Sequence, residues 1–165
     1  MKQIGRRFAI PRDDKKHLKS KKGIVITMNI DSINNGIVID HITAGSGMEL
    51  YGLLGLDDLD CSVALIRNVA SRKMGKKDII KIDADIPVNF DVIGYVDPGI
   101  TVNVIKGGTI IEKRTIELPV TLTNVIKCKN PRCITTVEQE LDHVFKLVDR
   151  DTKTYRCIYC ESKAK

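Results

Sequence analysis

The sequence predicts an α+β protein in which a ferredoxin-like antiparallel sheet, with helices on one face, is followed by a small all-β domain built on a four-cysteine zinc site. Three observations carry this expectation. Between residues 24 and 114 the apolar patterns run strand, helix, strand, strand, helix, strand, with one more hairpin strand. Two cysteine pairs, Cys128-Lys-Asn-Pro-Arg-Cys133 and Cys157-Ile-Tyr-Cys160, are separated by 23 residues. Between these two stretches, Leu118-Pro119 marks a break. The chain therefore divides into a basic N-terminal extension (1–23), a first domain (24–118) and a zinc-binding domain (119–165).

Taken in order, residues 24–30 are rich in strand formers, and Gly36-Ile-Val-Ile-Asp-His-Ile42 is a clearer strand bounded by Asn34-Asn35 and Ala44-Gly45-Ser46. Ser46 is suited to cap a helix reaching about Leu56, in which Met48, Leu50, Tyr51, Leu53, Leu54 and Leu56 give a broad apolar face. Gly52 and Gly55 weaken that helix by roughly 1 kcal/mol each relative to Ala. Residues 62–69 form the next strand, 71–77 a basic loop, and 78–83 another strand. A short helix covers 88–95 and is closed by Asp97-Pro98-Gly99. The strand at 101–105 then turns through Gly107-Gly108 into 110–114, because paired glycines supply the positive φ of a two-residue hairpin. With both helices on one side, the other sheet face is left for a ligand or partner.

The cysteines decide the character of the C-terminal part. Each knuckle aims two sulfurs at one point, and the long connection folds back to complete a tetrahedron, so Cys128, Cys133, Cys157 and Cys160 are the expected ligands of one structural Zn2+. Four thiolates leave no open coordination position, and Lys127, Lys129, Arg132 and Arg156 offset their charge. The competing reading is a pair of disulfides in a secreted chain. The N-terminus lacks the apolar core of a signal peptide, which places the chain in the cytoplasm, and no apolar run is long enough for a membrane span.

Composition sets further limits. There is no Trp and only three Phe and four Tyr, so the core must rest on Ile, Val and Leu. The net charge of +6 is concentrated at one end: residues 1–22 hold nine Lys or Arg against two Asp, a net +7, which leaves −1 for the rest. Two readings of that segment stay open, a solvated basic arm or a translated leader ahead of Met28.

One constellation on the first sheet is suited to a nucleotide. Lys77, Ile79, Lys81 and Asp83 alternate on one side of their strand, while Ile80 and Ile82 face the core. Asp40 and His41 stand where the first strand's apolar run ends, Asn103 lies on the fourth strand and Lys113 on the hairpin strand. Lysines supply point charges for phosphates, and a carboxylate accepts from ribose hydroxyls. A solvated strand edge is the plainer reading of the lysines taken alone.

In order and over nearly all of residues 36–161, Gly36-Ile-Val-Ile-Asp-His41, Met74-Gly-Lys-Lys-Asp-Ile-Ile-Lys-Ile-Asp83, Thr101-Val-Asn103, Leu118-Pro119 and the four-cysteine spacing resemble the regulatory chain of aspartate carbamoyltransferase. The resemblance implies a non-catalytic subunit whose first domain binds CTP and ATP, with UTP in some members. It also implies a regulatory-chain homodimer within a larger hetero-oligomer, and a zinc domain that docks on the catalytic chain. It carries Ile33, Asp40, His41, Lys77, Lys81, Asn103, Ile105 and Lys113 over as nucleotide-site residues. In that scheme Lys113 faces the triphosphate, Asp40 and Lys81 lie near ribose and base, and Ile33 borders the base. Asn130 and Arg132 are carried over as contacts to the catalytic chain. Two departures are visible: Gly108 stands where better-known members have an aromatic residue, and Arg132 replaces an asparagine.

Two other function classes were weighed. A zinc-ribbon nucleic-acid-binding protein fits the basic extension but not the near-neutral body or the scarcity of stacking aromatics. An enzyme lacks a nucleophile with a base at recognisable spacing: Cys61 sits in an apolar strand, and His17 and His143 read as isolated.

Overall fold

The computed structural model describes residues 32–138 and 140–164. The basic extension and the strand expected at 24–30 lie outside them. The described residues all belong to one compact unit, which contains two sheets.

The larger sheet has five strands in the order β2-β3-β1-β4-β5, every pair antiparallel. These are β1 (Gly36–Thr43), β2 (Val63–Ser71), β3 (Gly75–Ile82), β4 (Thr101–Lys106) and β5 (Thr109–Thr115). Helix α1 (Gly47–Leu53) lies between β1 and β2 in sequence, and α2 (Phe90–Val96) between β3 and β4. The expected order of elements is the order observed. Both helices pack on one face: Leu50, Val92 and Ile93 join Ile37, Ile39, Ile42, Ile80, Ile82, Ile100 and Val102 in a core whose twelve buried members are all Ile, Leu or Val.

Several boundaries differ from the sequence reading, and three of the differences have a visible reason. Helix α1 stops at Leu53 rather than about Leu56, because Gly55 takes a left-handed conformation (φ 62°) and the chain passes into a 3-10 turn at Leu56–Asp58. Ser46 stands at the N-cap but makes no side-chain cap bond, and Asp78 on β3 accepts the N–H groups of Gly45 and Gly47 on either side of it. Helix α2 starts two residues late, at Phe90, because the Asn89 side-chain oxygen accepts the N–H groups of Asp91 (3.0 Å) and Val92 (3.3 Å). The basic loop shrinks to a tight hairpin turn, since Ser71 already pairs with Gly75 and Lys76 and Lys77 belong to β3. The glycine hairpin is as expected: Gly107 (φ 57°) and Gly108 (φ 72°) form the two-residue turn between β4 and β5.

The smaller sheet has the order β6-β7-β8, with β6 (Thr121–Thr123), β7 (Val144–Asp149) and β8 (Thr154–Cys157). A one-turn helix, α3 (Ile134–Val137), follows Cys133. Its core comprises Leu122, Phe145, Tyr155 and three of the cysteines. The two cores meet at the end of α2. Gly94 lies so close to the Glu117 carbonyl that a β-carbon there would overlap it. Next to it, Tyr95 meets Tyr155 edge-on with ring centroids 5.6 Å apart, and the Tyr155 hydroxyl donates to the Pro119 carbonyl at 2.6 Å. Burial, then the neighbouring Tyr95, pushes the Tyr155 phenol up to about 12. Among the described residues, no helix is long and apolar enough to cross a membrane.

Candidate metal centre and ligand face

The four cysteine sulfurs lie within 4.8 Å of one another. Cys128 and Cys160 are 3.6 Å apart at Sγ, and Cys133 and Cys157 3.8 Å. A disulfide needs about 2.05 Å. A tetrahedron of about 2.3 Å metal–sulfur bonds requires sulfur separations of about 3.8 Å, so the cluster fits a tetrahedral thiolate-bound ion and excludes disulfides in this state. The thiols differ as acids. Burial pushes Cys128 up to about 12 and raises Cys157, whereas the Ser162 hydroxyl and backbone bring Cys160 down to about 6. A metal ion taken up here must therefore displace protons from buried thiols.

The local sequence explains how the knuckles hold their shape. In the first, the Asn130 side-chain oxygen accepts the Arg132 N–H at 3.0 Å, and its main-chain carbonyl accepts the Cys133 N–H at 3.0 Å and the Thr136 hydroxyl at 2.9 Å. Asn130, carried over as a partner contact, thus also organises its own turn, while the Arg132 residue beside it is exposed. In the second knuckle, the Arg156 guanidinium donates to the Glu161 carbonyl at 2.9 Å. Two supporting groups escaped the sequence reading. The buried Thr135 hydroxyl lies 3.2 Å from Cys133 Sγ. His143 is not isolated: its Nδ1 accepts the Cys128 N–H at 3.2 Å, and its backbone N–H donates to the Asn124 side chain at 2.9 Å. Neither could be read from spacing, because both act across turns.

On the larger sheet, the register places the polar residues expected at the ligand site on the face away from the helices. Val38 of β1 stands between Lys81 of β3 and Asn103 of β4, and Asn103 pairs in turn with Lys113 of β5. These four form one row across four strands. The apolar end of the face is made by Ile105, which pairs with Gly36, and by Ile33, whose Cγ2 would crowd a β-carbon at Gly36. Beside it, Gly107 donates its N–H to the Asn35 side chain (3.0 Å) and Gly108 to the Asn34 carbonyl (2.9 Å), which ties the hairpin to the approach of β1.

The remaining pair depends on a bulge. Ile39 pairs with Ile80 and Ile42 with Asp78, so β1 spends one more residue than β3 over the same span. His41 takes up the extra length at φ 64°. Ile39 and Ile42 are both fully buried, and the two residues between them, Asp40 and His41, both emerge on the ligand face instead of alternating. Asp40 accepts from Lys77 Nζ at 2.7 Å and from its neighbour's backbone N–H at 2.7 Å. Simple alternation would have sent His41 inward, so no period-2 reading could have found this.

Two buried polar atoms among the described residues lack a hydrogen-bond partner, His41 Nδ1 and Asn103 Oδ1. Both belong to this face. His41 Nδ1 lies 3.3 Å from an Asp40 oxygen without making a hydrogen bond. An unsatisfied buried polar group costs about 1–3 kcal/mol.

Comparison with known proteins adds two matches of family scale. Residues 28–117 match the allosteric domain of the aspartate carbamoyltransferase regulatory chain, and residues 120–165 its metal-binding domain. Regulatory chains from Clostridium botulinum (strain Hall) and Clostridium tetani are 53% identical over 134 residues and 50% identical over 135, each covering 81% of this chain and 92% and 94% of theirs. One from Bifidobacterium longum is 44% identical over 138 residues, 84% of this chain and 99% of its own.

Proposed function

Because this chain belongs to the family of aspartate carbamoyltransferase regulatory chains, we propose that it is the non-catalytic subunit that binds nucleoside triphosphates on its larger sheet and passes their effect to a catalytic chain docked on its metal-binding lobe. The observation that carries the ligand half is the row Lys81, Asn103 and Lys113 beside the Asp40–Lys77 pair, with two unpartnered buried polar atoms on the same face. Lys113 supplies charge for the triphosphate, Lys81 lies near ribose and base, and Asp40 accepts from a ribose hydroxyl. Asn103 and His41 give directional contacts, and Ile33 and Ile105 bound the base. CTP and ATP are the expected effectors, with UTP a third.

In the second lobe, Cys128, Cys133, Cys157 and Cys160 would hold zinc, which when bound supplies a closed structural cross-link. The knuckle bearing Asn130 and Arg132 is the proposed contact with the catalytic chain. The junction through Tyr95, Tyr155 and Pro119 is the direct route between lobes. The assembly is a regulatory homodimer within a hetero-oligomer, in the cytoplasm.

The test is co-expression with an untagged aspartate carbamoyltransferase catalytic chain. Co-elution, and a carbamoyltransferase rate that changes with ATP, CTP or UTP only when this chain is present, are expected. A metal-loaded chain that neither co-elutes nor binds any of the three would refute the reading.

A further inference from the structure

We propose that Asp78, a fully buried carboxylate on the helix side of β3, is a positioning residue for the nucleotide face, holding in place the bulges that turn Asp40 and His41 outward. Asp78 is among the largest completely buried side chains, the rest of which are apolar or aromatic. Its two oxygens accept three backbone N–H groups from two different places. Oδ1 takes Asn68 at 2.8 Å, and Oδ2 takes Gly45 at 2.9 Å and Gly47 at 3.2 Å. Arg67 Nε stands 3.9 Å from Oδ2.

The donors make the arrangement informative. Asn68 (φ 59°) is the extra residue of a bulge in β2, where Ile66 pairs with Ile79 and Val69 with Lys77. Gly45 lies in the connection that leaves β1 just after its own bulge at His41, and Gly47 opens α1 at the end of that connection. Both neighbours of β3 therefore carry one surplus residue, each on one side of the same short segment, and Asp78 lies at that segment. Its carboxylate fastens the β2 bulge directly and the end of β1 through Gly45 and Gly47. The adjacent residue, Lys77, points to the opposite face and pairs with Asp40. Burial alone would push the Asp78 carboxyl up, but the three N–H groups and Arg67 bring it below its ordinary value, so it is held as an anion.

Without that anchor the surplus residue of β1 has no fixed place. Asp40 and His41 could return to ordinary alternation, which turns one of them into the core and separates Asp40 from Lys77. The residue thus acts through others and touches no ligand itself.

This inference rests on the nucleotide-face reading, and the experiment separates the two. ATP, CTP and UTP are titrated by calorimetry into the full, metal-loaded chain and into its Asp78→Asn variant, with the folded fraction followed by circular dichroism. The variant keeps the shape but puts an amide N–H against backbone donors, and its affinity for ATP is expected to fall by about tenfold or more. In a chain already carrying Asp40→Ala and His41→Ala, the same change is expected to cost no more than about twofold, because the groups it positions are gone. Where Asp78→Asn does not fold, Gly47→Ala replaces it, its new β-carbon falling 2.9 Å from Asp78 Oδ2 and displacing the carboxylate. Unchanged affinity in the folded fraction, or an equal loss in both backgrounds, overturns the positioning role while leaving the nucleotide reading intact. A wild-type chain that binds none of the three nucleotides overturns both.

Discussion

The two cores are held together by opposite means. In the larger sheet, stability is spread over twelve buried aliphatic side chains, each contributing about 1.5–3 kcal/mol when fully buried. In the smaller one, three of six buried residues are cysteines, and the fourth cysteine packs against them. The first core degrades by increments; the second depends on a single closed cluster. What the contrast teaches is where each lobe can be broken: the open face of the larger sheet can be altered side chain by side chain, whereas the cysteine lobe stands or falls as a unit.

The largest effect expected from that contrast is at a sulfur. Structural zinc contributes an apparent folding free energy of about 10–16 kcal/mol in small modules, more than Leu122, Phe145 and Tyr155 can replace. Cys128→Ser should lose the metal, unfold the smaller lobe and abolish co-elution with the catalytic chain. ATP binding should survive, because Asp40, Lys81, Asn103 and Lys113 all lie in the larger sheet. Metal analysis, titration and co-elution on one preparation check this. Full metal retention with normal assembly would remove the four-cysteine assignment, and loss of ATP binding as complete as loss of docking would show that the cores are not separable.

The mirror experiment is Ile80→Ala, at a fully buried position paired with Ile39 and Leu65. A cost of about 2–5 kcal/mol is expected, borne by the larger lobe. Denaturant titration should show a lower midpoint while metal content stays at one ion per chain; metal loss in step with that midpoint would contradict the contrast.

A smaller effect isolates function from both cores. Lys113 is exposed on β5 and supports no packing, so Lys113→Ala should leave folding and metal unchanged while nucleotide affinity falls by about tenfold to a hundredfold, the equivalent of roughly 1.5–3 kcal/mol. Calorimetry showing equal affinity would move the phosphate site elsewhere.

The smallest change tests the junction between the lobes. Tyr155→Phe deletes the hydroxyl that donates to Pro119 and should cost about 1 kcal/mol near neutral pH. The folded phenol has its pKa raised from 10.0 to about 12, so its stabilisation is complete below pH 10.0 and is lost as the pH rises through about 12. The gap between wild type and variant in thermal unfolding should therefore narrow over that range; a gap that widens with pH would contradict the burial of this phenol.

Much of this was legible in the sequence because it depended on local rules. The order of elements, the glycine hairpin and the cysteine tetrad follow from periodicity, the positive φ at Gly107 and Gly108, and the reach of two knuckles. What escaped was long-range. Asp78 read as an ordinary polar residue at a strand's start, because nothing nearby announces that N–H groups 10, 31 and 33 residues away converge on it. The Ser46 side chain likewise makes no cap bond, while Asp78, distant in sequence, takes the N–H groups of the residues on either side of it. His143 looked solitary because its partner is the backbone of Cys128, 15 residues earlier.

The bulge at His41 makes the number of residues between Ile39 and Ile42 a heritable trait in its own right. Deleting one codon there would leave Asp40, Lys77, Lys81, Asn103 and Lys113 all encoded, and the remaining strand could still pair. Yet the spacing that lets two neighbours share one face would be gone, and everything up to Gly45 and Gly47 would be drawn one step toward β1. A substitution at His41 can keep that geometry if the new residue tolerates φ 64°, as Asn or Gly does. A frame-preserving deletion cannot, whatever residues remain. Selection on this stretch should therefore tolerate exchange more readily than shortening.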